Sequence, residues 1–196
     1  MALEVKQPAE WLSVEAYLQG ELSSEIKHEY IDGAVYAMAG TSKNHQRITA
    51  NVSGEFWTPL KNTPCEAFSS AIKVKVGTKF FYPDVMVVCN EDGKNAYYTE
   101  TPVIIIEVLS KSTRRMDETA KKFAYQSLAT LKEYVLIEQD FVDVEVCRRS
   151  ENWVSRHYFM GDSVTFESVG VTLSVADIYD RVENEDVSSF LLGEVQ

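Results

Sequence analysis

The run PVIIIEVL, residues 102–109, constrains the fold more than any other stretch of the chain. It is almost continuously apolar and does not alternate, the pattern of a β-strand covered on both faces. A second run, YPDVMVVC at 82–89, reads the same way after its aspartate. Two central strands of this kind need a layer of structure above and below, which points to a mixed α/β sheet flanked by helices. Each run nevertheless contains one carboxylate, Asp84 or Glu107. An ionised carboxylate in such a place is costly unless it is paired, hydrogen-bonded or bound to a cation.

Strand periodicity puts Glu107 on one face with Ile105 and Leu109, and Asp84 on one face with Met86 and Val88. The turn-forming stretch NEDGKN lies between the runs, so a simple connection makes the strands neighbours and brings the acids together. Two adjacent carboxylates repel, and the repulsion raises a proton affinity or recruits a divalent metal; hard oxygen ligands suit Mg²⁺ or Mn²⁺. The plain alternative is that each acid only ends a strand or pairs with an arginine. Their joint occurrence weighs for a site.

The other elements follow from local signals. WLSVEAYLQ reads as a short helix, and KHEYIDGAVYAM as a hairpin turning on Asp32-Gly33, where glycine accepts positive φ. TSKNHQRITANVSGEFWTPL begins with capping hydroxyls and reads as a helix to about Leu60. Strands are expected at about 65–68, 71–76, 80–89 and 102–109. A second long helix, RRMDETAKKFAYQSLAT, carries Met116, Ala120, Phe123, Ala124, Leu128 and Leu131 along one stripe. EYVLIE and DVEVCRR read as strands, and WVSRHYF with SVTF as a further hairpin.

The net charge of -11 argues against a protein that coats nucleic acid by bulk electrostatics. The charge is uneven, however. Residues 41–82 hold six basic groups against two acids and residues 111–122 five against two, whereas 177–196 hold six acids against Arg181. The basic stretches bracket the two acid-bearing runs. Three cysteines, Cys65, Cys89 and Cys147, show neither paired nor metal-ligand spacing and are expected to be reduced and structural. With no signal-like N-terminus and no membrane-length apolar run, the chain is read as cytoplasmic, with no membrane partner.

Proline-aspartate at the start of one apolar strand, followed after a loop by a glutamate inside a second, resembles the active-site signature of the PD-(D/E)XK nuclease superfamily, the restriction-endonuclease-like fold. More narrowly, EYIDGAVYAMAGTSKNH, FYPDVMVVC, PVIIIEVLSKSTRRMD, AKKFAYQSLATLKEYVLI and GVTLSVADIY together resemble the bacterial Uma-two endonuclease family, over about residues 10 to 180.

The resemblance implies Mg²⁺- or Mn²⁺-dependent hydrolysis of phosphodiester bonds in nucleic acid, DNA foremost. Asp84, Glu107 and the backbone carbonyl of Val108 would be the metal ligands. The superfamily lysine stands two residues after the glutamate, where this chain has Leu109, and Ala71 stands where relatives often carry an acid. Lys121 matches a family lysine on the following helix. At 100° per residue it lies beside Asp117, whereas Lys122 points elsewhere; simple pairing of Lys121 with Asp117 is the alternative. Glu29 fits as a third carboxylate, or as an exposed strand acid. His45 fits as a contact to phosphate or metal, or as a helix-start residue. Ser110 and Arg114 fit as phosphate-binding groups, or as residues that order their loop. The expectation is therefore one restriction-endonuclease-like α/β domain over residues 1–196, with flanking helices, extra β-hairpins and a loose acidic C-terminus from about residue 181. It would act as a metal-dependent nuclease and assemble as a twofold homodimer. The rivals are a catalytically degenerate module for DNA binding or protein assembly, which Leu109 and Ala71 favour, and a hydrolase of another phosphodiester.

Overall fold

The computed structural model describes residues 11–193 apart from 39, 91–94 and 112. Helix α1, Val14–Glu21, starts at Ser13, whose hydroxyl accepts the Ala16 N–H, and leads into strands β1, His28–Ile31, and β2, Ala34–Ala37. The turn between these strands uses positive φ at both Asp32 (47°) and Gly33 (98°), the geometry that matches strand twist in a two-residue hairpin. Glycine is also required there by space, since a Cβ at Gly33 would collide with the Trp11 ring.

Helix α2, Lys43–Leu60, is followed by β3, Cys65–Ser69, β4, Lys73–Val76, β5, Lys79–Phe81, β6, Val85–Cys89, β7, Tyr98–Thr99, and β8, Pro102–Leu109. The expected 80–89 strand is thus two strands that part before Asp84, a residue preceded by proline. The NEDGKN turn falls largely outside the described residues. After β8 the chain forms one turn of helix α3, Arg114–Met116, a π turn at Asp117–Lys121 and helix α4, Lys122–Gln126. Strands β9, Glu133–Glu138, β10, Val144–Arg148, β11, Ser155–Tyr158, β12, Ser163–Phe166, and β13, Val171–Ser174, precede helices α5, Val175–Ile178, and α6, Glu185–Leu192.

Six strands form the central sheet in the order β11-β10-β9-β8-β6-β3, with β8 and β9 parallel and the other neighbours antiparallel. Both buried runs occupy interior positions of this sheet, as their lack of alternation requires. Ile104, Ile106 and Val108 enter one core with α2, the β12–β13 hairpin and α5, while Ile105 and Leu109 enter a second core with Tyr125 and Leu131. Each fully buried isoleucine contributes about 1.5–3 kcal/mol, so β8 is anchored on both faces despite its glutamate. A five-stranded sheet, β2-β1-β5-β4-β7, lies beside the second core.

Several expectations need correction. The segment WVSRHYF does not pair with SVTF: β11 returns onto β10 and β12 pairs with β13. Positive φ at Asn152 and Trp153 permits the first of these reversals, and Gly170 the second. Phe123 is 75% exposed, and the helix buries Asp117, Lys121 and Tyr125 instead. The π turn is responsible, since it rotates the faces of the helix relative to a regular 100° step. Cys65 and Cys89 form a disulfide, and only Cys147 is free. Register explains the pairing: the two residues oppose each other across β3 and β6, a meeting that a 24-residue separation conceals. The acidic segment from about 181 includes helix α6, with Val182 and Val187 buried and the Asp186 carboxylate accepting the Val142 N–H. No helix among the described residues is long and apolar enough to cross a membrane.

Candidate active site

Because Val85 pairs with Ile106, the antiparallel register continues to set Asp84 against Glu107 at the C-terminal end of β8. The Asp84 carboxylate accepts the Val108 N–H at 2.8 Å, which ties the end of one strand to the other. Both acids line a cavity of about 460 Å³, together with Glu29, His45, Asp117 and Lys121. Sheet register brings Asp84 and Glu107 there, β1 brings Glu29, the first turn of α2 brings His45, and the π turn brings Asp117 and Lys121.

Lys121 is the hub of the site. Its ammonium lies 2.9 Å from Glu29, 3.2 Å from Glu107 and 3.1 Å from Asp117. Burial pushes the ammonium toward neutrality, but Glu107, Glu29 and Asp117 overcome it and hold the pKa well above the ordinary lysine value. Glu107 is buried and also accepts the Tyr125 hydroxyl at 3.0 Å. Burial raises its pKa well above the usual carboxylate range; Lys121 opposes the shift, and the neighbouring Asp117, Asp84 and Glu29 reinforce it. Burial likewise raises Asp117, against the pull of Lys121. Glu29 is fixed from a further side by the Tyr82 N–H at 3.2 Å.

The helix of 18 residues that carries His45 is capped by Ser42, whose hydroxyl oxygen accepts the His45 N–H at 3.1 Å. The same hydroxyl donates to Gln139, whose side-chain amide donates to the Leu109 carbonyl at 2.7 Å, so α2 is fastened to the end of β8. His45 Nε2 stands 3.3 Å from Asp84, while its buried Nδ1 has no hydrogen-bond partner among the described residues.

The remaining sequence-derived residues are placed differently. Ser110 lines the cavity. Arg114 is directed away, its guanidinium forked onto Glu138 and also reaching Glu118 at 3.4 Å. Leu109 is buried in the apolar core. Sequence reasoning missed Asp117 as a cavity acid and missed Tyr125 and Gln139 altogether. For the first two a signal existed: Asp117, Lys121 and Tyr125 recur at four-residue spacing as a polar stripe on a helix otherwise read for its apolar one.

Residues 14–176 match the family model Uma2, described as "Putative restriction endonuclease". The chain is 34% identical over 173 residues to "Uncharacterized protein slr1290" of Synechocystis sp., covering 86% of this chain and 91% of that protein. It is 35% identical over 140 residues to "Uncharacterized protein sll1609" of the same organism, covering 68% and 78%. Its structure superposes with a TM-score of 0.73 on the crystal structure of "a putative nuclease belonging to DUF820" from Anabaena variabilis, at 19% identity over 88% of this chain and 99% of that one. The fold is the restriction-endonuclease-like α/β fold.

Proposed function

Because the chain belongs to the Uma2 family of restriction-endonuclease-like proteins, we propose that it is a divalent-metal-dependent nuclease hydrolysing phosphodiester bonds of nucleic acid, DNA in the first instance. One observation carries the reading: four acids, Glu29, Asp84, Glu107 and Asp117, line one cavity in which Lys121 is the only lysine or arginine among the lining residues described. Buried carboxylates in such excess need further positive charge, and their hard oxygens suit Mg²⁺ or Mn²⁺.

As they stand, no three His, Cys, Asp or Glu side chains among the described residues are grouped closely enough to hold a metal ion. The donor set fits by its chemistry: Asp84, immediately before β6, and Glu107, on the neighbouring β8, with the Val108 carbonyl would hold the metal. Bound there, it would lower the pKa of a water and neutralise charge on the scissile phosphate. The chain's own groups supply the rest. His45 and the Val108 N–H fix Asp84, and Tyr125 with Lys121 fixes Glu107. With its pKa raised, Lys121 stays charged at neutral pH, so it stabilises developing negative charge and does not abstract protons. The α2 N-terminus at the cavity mouth favours an anionic substrate group. Tyr36, Met38 and Met116 add apolar surface to the cavity lining.

The test is cleavage of plasmid and oligonucleotides with Mg²⁺ or Mn²⁺, alongside calorimetric metal titration. The expected result is metal-dependent cutting that Glu107→Gln abolishes. A wild-type protein that neither cuts nor binds metal would pass the site to the binding-module reading, which Leu109, sealed in the core where the superfamily has its lysine, favours. The same proposal takes the protein as a cytoplasmic twofold homodimer. Exposed Val154 and Phe159 flank the edge strand β11 and offer apolar surface to a second copy. Light scattering that returns a 22.2 kDa particle would remove the dimer.

A further inference from the structure

Three carboxylates from three separate elements surround the Lys121 nitrogen: Glu29 on β1, Glu107 on β8 and Asp117 at the start of the π turn. A regular α-helix advances about 40° over each four-residue step, so Asp117, Lys121 and Tyr125 would fan across about 80°. The π turn winds less per residue and brings all three back toward the sheet, where they are buried together. The distances of 2.9–3.2 Å suit an ammonium ion pair and exceed the ~2.1 Å of a magnesium–oxygen bond. Asp117 Oδ1 is buried, has no well-directed hydrogen bond among the described residues, and faces the ammonium. The arrangement is a cation seat whose cation is covalently attached.

We propose that Glu29, Glu107 and Asp117 form a second cation seat, which the Lys121 ammonium fills in place of a second divalent ion, so that the chain takes one exchangeable metal and not two. The inference rests on the metal-dependent reading above. In two-metal sites the second ion clamps charge opposite the first. A tethered ammonium supplies positive charge permanently, cannot be chelated, and needs no lysine on β8, which accounts for a leucine at position 109.

Stoichiometry tests this without reference to cleavage. The full-length protein is dialysed to equilibrium with Mn²⁺, its metal content is measured, and bound Mn²⁺ is examined by electron paramagnetic resonance. The wild type is expected to hold one Mn²⁺ per chain. Lys121→Ser is expected to hold two, with a spin-coupled signal, and Lys121→Arg, which keeps the charge, one. Asp117→Asn is expected to retain the single ion, because that acid holds the ammonium and not the metal. Two ions on the wild type, one on a folded Lys121→Ser, or none on Asp117→Asn would each overturn the proposal. If Lys121→Ser does not fold, the wild-type and Asp117→Asn counts still decide. No Mn²⁺ on the wild type would instead sink the metal-dependent reading, and this inference with it.

Discussion

Glu107 on β8 and Glu133 on the neighbouring parallel strand β9 are equally buried, yet they are compensated in opposite ways. Glu133 lies opposite Ile104, three residues back along β8 from Glu107, or roughly 10 Å by strand rise. It faces Arg148 at 3.4 Å and also accepts the Glu167 N–H and the Ser168 hydroxyl. Arg148 and Arg156 both reach Glu151 as well, so that end of the sheet holds as many guanidinium groups as carboxylates. At the other end one ammonium serves Glu29, Glu107 and Asp117, with Asp84 beside them. A buried acid with its own counter-ion is a structural fastening. A buried acid among surplus acids is poised to take up a cation.

The sharpest way to break this contrast is to neutralise each glutamate in turn. Glu107→Gln should lower cleavage by at least about 1,000-fold, roughly 4 kcal/mol of transition-state stabilisation, with no loss of melting temperature. Glu133→Gln should leave Arg148 with only the more distant, partly exposed Glu151 carboxylate, cost about 3 kcal/mol and lower Tm by roughly 5–10 °C, while cleavage per folded molecule persists. Thermal melts and cleavage assays on both variants check the pair of outcomes. A Glu107→Gln that melts early while still cutting would mean that the two acids do the same job.

Removing the shared cation comes next in size. Lys121→Met should reduce cleavage about 100-fold or more and destabilise the fold by about 3 kcal/mol at neutral pH, since three buried acids lose their counter-charge. The destabilisation should shrink in acid, where the acids can take up protons. Urea unfolding at pH 5 and pH 8 measures it, and an equal loss at both would contradict the shared-cation arrangement.

The wild type itself should show the same surplus as a pH slope. Glu107 has a raised pKa, so above the unfolded value of about 4.5 the folded protein retains a proton that the unfolded chain has released. The unfolded state then binds fewer protons, and stability falls as pH rises from that value up to the folded pKa. The slope for one such group reaches at most about 1.4 kcal/mol per pH unit. Asp117 adds the same sign from 3.8 upward. Lys121 contributes stability that is complete below the unfolded lysine value of about 10.5 and is lost only as pH rises through its higher folded pKa, so it does not oppose the slope near neutrality. Glu107→Gln should flatten the curve of stability against pH between 5 and 8, and an unchanged slope would remove Glu107 as its source.

The interior strands were legible because burial on both faces leaves an unambiguous mark: two non-alternating apolar runs lie inside the sheet, and strand parity set the faces of Glu107 and Asp84. The hairpin at Asp32-Gly33 was equally plain, since few residues tolerate its backbone. Two kinds of feature were hidden. A π turn has no reliable local signal, so the exposure of Phe123 and the inward stripe of Asp117, Lys121 and Tyr125 could not be phased from a 100° wheel. Long-range register was hidden too, which is why the Cys65–Cys89 bond and the pairing of β11 with β10 were unforeseen. Pairing across the fold was hidden as well: within the basic stretches Arg47 meets Glu183, Lys75 meets Glu100, Lys79 meets Asp32 and Lys122 meets Glu145.

The smallest expected effect sharpens the contrast most finely, because it compares two adjacent lysines. Lys121 ends the π turn and points into the cavity, while Lys122 opens α4 and points to Glu145 at 3.0 Å, with about a fifth of each partner's side chain exposed. A pair of this kind is partly screened by water and is worth no more than about 1 kcal/mol. Losing Lys122 would not strand its partner, since Glu145 also accepts the Ser155 hydroxyl and the Cys147 thiol. Lys122→Ala should therefore shift Tm by no more than about 2–4 °C and leave cleavage within about twofold of wild type. Parallel assays of Lys121→Met and Lys122→Ala under one set of conditions make the measurement. A tenfold loss of cleavage from Lys122→Ala, with the fold intact, would move the catalytic lysine one residue along the helix and dissolve the three-carboxylate seat as its explanation.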